Sequence, residues 1–280
     1  MSVRLVITDA MWDRIEPLMP ADPVRGRPRA DHRRTLEAIA WKYRTCSPWR
    51  DLPNELGPFQ TAHKRLIRWA TDGTWERILA ALLAAADTDA DLGWTVSVDS
   101  TACRAHQHSA GARKRGHLEG PEPEDHSLGR SRGGLSTKVH LASDSRARPL
   151  SIHVTAGQAG DAPAFEAVMA GIRVPRSGHG RPRTRPAVVL ADRAYSSRAI
   201  RGHLRRRGIR AVISQPADQI GHRLRRSRAG GRPPGFDVET YKERNAVERC
   251  IARRKQWRGL AMRTDKRGIA SSKGISCVTS

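Results

Sequence analysis

Cysteine is scarce in this sequence and never paired: Cys46, Cys103, Cys250 and Cys277 stand singly, without a C-x-x-C spacing. That excludes a zinc ribbon and a disulfide framework, and reads as the reduced thiols of a cytosolic protein. Long apolar runs are missing too. The longest, ILAALLAAA at 78–86, is far too short to span a bilayer, and no signal peptide precedes it. A soluble, cytoplasmic protein without a membrane partner is expected. No internal repeat, P-loop or nucleophile elbow occurs, so neither P-loop phosphate chemistry nor serine-type acyl transfer has a foothold.

Acids are the other shortage. Lys and Arg number 51 against 28 Asp and Glu, a net charge of +23, and that balance points to a polyanion, nucleic acid first. A ribosomal or chromatin-like protein would share the excess, but its distribution is uneven. Residues 1–93 carry 14 basic and 13 acidic side chains, whereas 173–233 carry 17 against 2.

Three of the acids stand out against this background. WTVSVDS (94–100) places Val96 and Val98 on one face and ends in Asp99, while AVVLAD (187–192) is a continuous apolar run ending in Asp192. Both are expected at the carboxyl ends of buried strands, the edge at which α/β sheets bind ligands. An Asp in that place is about as often only a turn or a helix cap. The third acid, Glu248, lies in YKERNAVERCIARRK (241–255), which has no Pro or Gly and reads as one helix. At about 100° per residue, Tyr241, Arg244, Glu248 and Lys255 share an arc of roughly 60°, flanked by Val247 and Ile251. Taken alone, Arg244 and Glu248 also read as an ordinary i,i+4 ion pair on a solvated helix. Three hard oxygen ligands at one point would instead make a Mg²⁺ site able to grip a phosphodiester.

Along the chain, helices are expected from Thr8 to the Pro20 stop, over 31–44 with Leu36, Ile39, Ala40 and Tyr43 inward, over 59–70 with Phe59, Ala62, Leu66 and Trp69 inward, and over 74–86. Their lengths and short Gly/Pro turns suit a helix-turn-helix with Gln60, Thr61, His63 and Lys64 facing DNA, or else a plain bracing bundle. ADTDADLG (86–93) reads as a linker. Basic loops are expected at 103–134 and 215–237. His106, His108, His117 and His126 lie in the first, where metal binding is one reading and their irregular spacing favours phosphate contacts or simple solvation. Strands are expected at 135–142, 149–155 and 209–214, besides those ending in Asp99 and Asp192, with helices at 161–172, capped by Asp161, and at 196–208. The succession of three strands, helix, strand, helix, strand and final helix is that of a ribonuclease-H-like core.

The spacing Tyr241, Arg244, Glu248, Lys255 resembles the C-terminal signature of DDE transposases from bacterial insertion sequences, in the family numbered five within the broader group numbered four. VDSTACRAHQHSAGARK (98–114), GRSRGGLSTKVHLASD (129–144), VLADRAYSS (189–197) and ERNAVERCIARRKQWRGLAMRTDK (243–266) are similar to blocks of that branch, and the likeness runs from about residue 5 to residue 266. The fold implied is α/β: a ribonuclease-H-like catalytic domain at 94–266, with a mixed five-stranded sheet and flanking helices, preceded by a small all-helical, helix-turn-helix-like domain at 1–86 and a linker at 87–93. The resemblance implies Asp99, Asp192 and Glu248 as catalytic metal ligands for two Mg²⁺, with Mn²⁺ able to substitute. Tyr241, Arg244, Lys255, Gln60 and Lys64 would contact DNA. The partners implied are double-stranded DNA, as terminal inverted repeats and target, and further copies of the chain assembled on it at a bacterial nucleoid. A catalytically inactive DNA-binding relic or regulator, or a nuclease without strand transfer, would share these residues. The family continues past Asp265-Lys266 with an apolar packing helix, where this chain reads RGIASSKGISCVTS (267–280), as a frameshifted or truncated copy would.

Overall fold

The helical periodicity of the N-terminal third is realised as four helices in the computed structural model, which describes residues 4–21, 30–89, 92–112, 126–176 and 178–268. They are α1 (Asp9–Ile15), α2 (His32–Thr45), α3 (Phe59–Thr71) and α4 (Thr74–Thr88). Thr8 caps α1 by accepting from the Met11 amide at 3.3 Å, and Asp31 caps α2 through the Arg34 amide at 3.2 Å. The expected stripes of α2 and α3 meet in one core with Trp75 and Ile78 of α4, and Trp69 and Trp75 stack edge-on at 5.5 Å. Glu37 breaks the pattern. Buried beside that stripe, its carboxylate accepts from the amides of Val6 and Ile7, at 2.9 and 2.6 Å, and so ties down the start of the chain. Residues 46–58, between α2 and α3, contain two 3₁₀ turns, a longer connection than the three or four residues of a compact helix-turn-helix.

The expected linker begins as helix. α4 runs to Thr88, and the Asp87 carboxylate accepts from Trp94 Nε1 at 3.0 Å and from Arg183 at 2.8 Å. Residues 90 and 91 lie outside the described ones.

Beyond it follow β1 (Thr95–Ala105), α5 (Gln107–Ala110), β2 (Gly129–Ser131), β3 (Gly134–Ser143), β4 (Pro149–Ala156), α6 (Asp161–Ala170), β5 (Val188–Ala191), α7 (Arg198–Arg206) and β6 (Arg210–Ile213). Five of the strands form the order β4-β3-β1-β5-β6, with β3 antiparallel to both neighbours and β1, β5 and β6 mutually parallel. This is the ribonuclease-H-like sheet that the succession of elements anticipates. β2 adds a short pairing at the start of β3. Val96 and Val98 pack with Phe165 and Val168 of α6 and Ile200 and Leu204 of α7, while Leu141 packs with Val247 and Cys250 on the other face.

The chain then forms α8 (Ala217–Arg225), α9 (Val238–Lys242), α10 (Asn245–Gln256), α11 (Arg258–Ala261) and β7 (Met262–Arg263). Three expectations are corrected here. The loop expected at 215–237 contains α8, which buries none of its residues and leaves Leu224 66% exposed; its two large apolar side chains, Ile220 and Leu224, are too sparse to betray a helix. The loop expected from 103 begins as strand, because β1 continues to Ala105, paired with β3 on one side and β7 on the other; residues 113–125, with His117, lie outside the described ones. The single helix expected at 241–255 is two. Glu243 and Arg244 sit in a tightened turn, their amides donating three residues back to Thr240 and Tyr241 at 3.2 and 3.0 Å.

α11 closes the fold onto the helical region. Leu260 enters the N-terminal core, Trp257 packs beside it, and Gly259 lies so close to α2 that a Cβ there would meet Tyr43 Cα at 2.9 Å. Buried Arg263 donates to Ser127 O at 3.1 Å, Thr137 Oγ1 at 2.7 Å and Lys266 O at 2.8 Å, pinning the residues after β7. Most of the divergent tail, 269–280, is outside the described residues. No helix among those described is long and apolar enough to cross a membrane.

Candidate active site

Parallel register brings the two Asp residues side by side. Val98 of β1 and Ala191 of β5 form the last pair of that ladder, so Asp99 and Asp192 are the next residue on each of two adjacent strands. Asp99 is not the end of its strand, as the alternation suggests. It sits within an 11-residue strand, opposite Leu141 of β3, at the point where β5 stops and one flank of β1 opens. Asp192 does end its strand. It caps the 3₁₀ turn Arg193–Tyr195, accepting from the Ala194 amide at 2.9 Å.

The third acid arrives through a cation. Arg244 donates from Nη1 to Asp99 Oδ2 at 3.1 Å and from Nη2 to Glu248 Oε1 at 2.5 Å. The plain i,i+4 pair is therefore real, and the same guanidinium also holds a strand residue 145 positions away. Arg244 keeps 19% of its side chain exposed and Asp99 23%, whereas Glu248 keeps 52%. Burial pushes the Asp99 pKa up, and the Asp192 charge adds to this; the Ser100 amide, at 2.7 Å, and Arg244 work against it. The Arg244 pKa is raised as well, but here the shift favours the charged form. Burial opposes its charge, but Asp99, Tyr241 and Glu248 together hold its pKa above the ordinary value.

Of the other expected contacts, Tyr241 is near: the Arg244 guanidinium lies 5.9 Å from its ring centre, Phe236 packs on it at 5.0 Å, and its hydroxyl meets Ser214 Oγ at 3.4 Å. Lys255 is exposed on the same helix, about 10 Å beyond Glu248 along the axis, and its charge is felt at Cys103 of β1 rather than at Asp99. Gln60 and Lys64 are exposed on α3, in the helical region.

A network on the other face of β1 escapes sequence reading. Asp161 is not the cap of α6; Gly160 is, and Asp161 accepts from Ser100 Oγ at 2.5 Å and pairs with Lys138 Nζ at 2.7 Å. His140, fully buried, lies 3.6 Å from the same carboxylate. Tyr195, packed on Phe165 at 5.8 Å, is held protonated by burial and by the charges of Asp161, Asp99 and Asp192. Only pairing across the sheet reveals these contacts, since no local spacing links Ser100 or Lys138 to Asp161.

Carboxylate oxygens are the hard donors that Mg²⁺ and Mn²⁺ take, and burial raises the cost of the Asp99 charge. The donor set therefore fits a divalent ion. In this structure the neutralising charge is Arg244, which stands between Asp99 and Glu248. Among the described residues no three His, Cys, Asp or Glu side chains lie close enough together to hold an ion as they stand.

Comparison with known proteins shows which family the chain resembles. Residues 92–273 match the family model described as "Transposase DDE domain", and residues 7–79 match the one described as "Putative transposase of IS4/5 family". The uncharacterized protein y4sN of Sinorhizobium fredii is 39% identical over 109 residues, covering 39% of this chain and 83% of its own. The insertion element IS402 uncharacterized 16.2 kDa protein of Burkholderia cepacia is 34% identical over 108 residues, 36% of this chain and 74% of its own. Among solved structures, the Mos1 strand transfer complex aligns with 85% of this chain and 82% of its own at 14% identity, with a TM-score of 0.28. At that score the fold assignment rests on the strand order alone.

Proposed function

The chain belongs to the DDE transposases of insertion sequences, and from that premise we propose that Asp99, Asp192 and Glu248 are the acids with which it cuts and joins DNA. The observation that carries this reading is the Arg244 guanidinium, which binds Asp99 and Glu248 together while Asp192 stands in register beside Asp99. A very basic chain that gathers carboxylates at an opened flank of its central strand, and covers them with its own cation, is built to exchange that cation for a stronger one.

Asp99, Asp192 and Glu248 would hold two Mg²⁺ ions, with Mn²⁺ able to substitute, and such ions would supply the positive charge that offsets the charge growing on the entering and leaving oxygens of a phosphodiester. The residues of the chain position the DNA around them. Arg244, released from the acids, and Lys255 are free to hold flanking phosphates, and Tyr241 offers a ring to a sugar or base. Gln60 and Lys64 of α3 contact the terminal inverted repeats. In the first step water attacks the phosphodiester at an element end and a 3′-hydroxyl leaves. In the second that hydroxyl attacks a target phosphodiester, one P–O bond forming as another breaks, so no covalent enzyme intermediate is needed. Because two ends are joined to one target, at least two copies of the chain assemble on DNA.

Glu248→Gln is the test. The variant should fold and bind DNA as the parent does, yet fail to nick supercoiled plasmid when Mg²⁺ is added. Nicking at the parent rate would remove Glu248 from the site.

A further inference from the structure

Where the helical region meets the end of the catalytic domain there is a cavity of about 720 Å³, whose lining includes Trp49, His63, Lys64, Arg68, Lys266 and Arg267. One wall is α3 and the turn before it; the other is the stretch that follows β7. The acid cluster contributes nothing to it. Lys42 fastens the two walls, donating to Ser47 O at 2.9 Å and to Thr264 Oγ1 at 3.3 Å with its ammonium 5.9 Å from the Trp49 ring centre. Asp265 also lines the cavity, but its carboxylate is taken by Tyr43 Oη at 3.2 Å.

Three properties define what would fit. The volume suits a single nucleotide rather than a duplex, whose bases are shielded inside the stack. The aromatic wall is specific: Trp49 meets His63 edge-on at 5.5 Å, and its buried Nε1–H has no hydrogen-bond partner among the described residues. Cations approach from both sides, Lys64 and Arg68 from α3 and Lys266 and Arg267 opposite, of which Arg68 also meets Asp72 at 3.9 Å. Burial lowers the His63 pKa, with Arg267 and Lys42 acting in the same sense against Asp265, so the imidazole is neutral at pH 7 and suited to stacking.

We infer that this cavity binds one nucleotide of unpaired DNA, its base against Trp49 and His63 and its phosphate among Lys64, Lys266 and Arg267. Duplex DNA would reach the cations but leave the apolar wall uncovered, whereas a splayed base covers it. The inference rests on the reading of the chain as a DNA transposase and adds a second nucleic-acid contact remote from the acids.

The test is fluorescence anisotropy of the full chain, with EDTA present, against labelled twelve-residue oligo(dT), the same oligomer made abasic, and a blunt duplex of unrelated sequence. The parent should bind oligo(dT) about tenfold or more tightly than the abasic strand, the loss expected when a stacking partner is removed. Trp49→Leu should abolish that preference and leave duplex binding unchanged. Should Trp49→Leu not fold, Lys266→Ala/Arg267→Ala keeps the question open to refutation: it should weaken oligo(dT) binding about tenfold and duplex binding by clearly less. Equal affinity for the abasic and normal strands, or equal loss on strand and duplex, overturns the inference in favour of simple backbone binding. Since metal is absent throughout, failure here is distinct from failure of the Mg²⁺-dependent nicking that tests the acids.

Discussion

Replacing Arg244 with Ala isolates the physical claim on which the site depends. The substitution leaves Asp99, only 23% exposed and next to Asp192, without its main cation. Breaking a fully buried pair costs about 3–5 kcal/mol, but both partners here keep about a fifth of their side chains in water, so about 2 kcal/mol is the expected loss. The Glu248 arm, 52% exposed, adds little. For a chain of this size that corresponds to a Tm lower by roughly 4–8 °C in metal-free buffer at pH 7. The pH dependence has a definite sign. The folded chain holds the Asp99 proton more tightly than an unfolded Asp with its pKa of 3.8, so ionising Asp99 costs stability above its folded pKa, and the cost fades as pH falls. Without Arg244 the folded pKa climbs further, and the gap between variant and parent should shrink from pH 7 toward pH 4. Two controls sharpen the assay: Asp99→Asn/Arg244→Ala should recover most of the loss, and millimolar Mg²⁺ should raise the Tm of Arg244→Ala more than that of the parent. A double-mutant cycle with no coupling between positions 99 and 244, or a gap that ignores pH, would refute the argument.

Further outcomes follow from single contacts. Gly259→Ala pushes a methyl group to 2.9 Å from Tyr43 Cα and 3.0 Å from Tyr43 O, both backbone-anchored, and should cost about 1–3 kcal/mol in urea unfolding by prising α11 off α2. Glu37→Ala strands the amides of Val6 and Ile7 and should destabilise by about 2–3 kcal/mol, with faster hydrogen exchange confined at first to the start of the chain. His140 is held neutral by burial, its pKa lowered from 6.5 to about 4 against the pull of Asp161. Its contribution to stability is therefore complete above pH 6.5 and declines as pH falls toward about 4. His140→Gln should flatten the denaturation profile over that interval; an unchanged slope would assign the pH dependence elsewhere.

What could be read from the residues alone followed locality. The strands at 149–156, 188–191 and 210–213 are compact apolar or alternating runs, and α2 and α3 carry their buried stripes at helical spacing; such patterns are written within a few turns of chain. The apolar alternation of β1 ends at Asp99, because STAC (100–103) carries none to extend it. Those residues are strand because β3 and then β7 supply hydrogen-bond partners from remote sequence. Lys138 and Asp161 show the same limit at the site, since the ion pair that joins them is set by the face of the sheet on which each emerges.

Arg244 lies on both sides of that boundary. Its bond to Glu248 is one turn of helix and is visible as an i,i+4 pair, whereas its bond to Asp99 exists only because the tightened turn at Glu243 and Arg244 ends α9 and begins α10 against the central strand. A continuous helix would keep Arg244 in the Tyr241–Lys255 arc, but the break is what makes it the first residue of a new segment aimed at β1. Restoring continuity should therefore loosen the acids without touching them. Glu243→Ala raises helix propensity at the turn and, if the turn relaxes toward regular i→i+4 bonding, should reproduce in weaker form the pH-dependent loss seen with Arg244→Ala. A variant as stable as the parent at every pH, with the Arg244 to Asp99 contact intact, would show that packing of α10 on β1 sets the turn and local propensity does not.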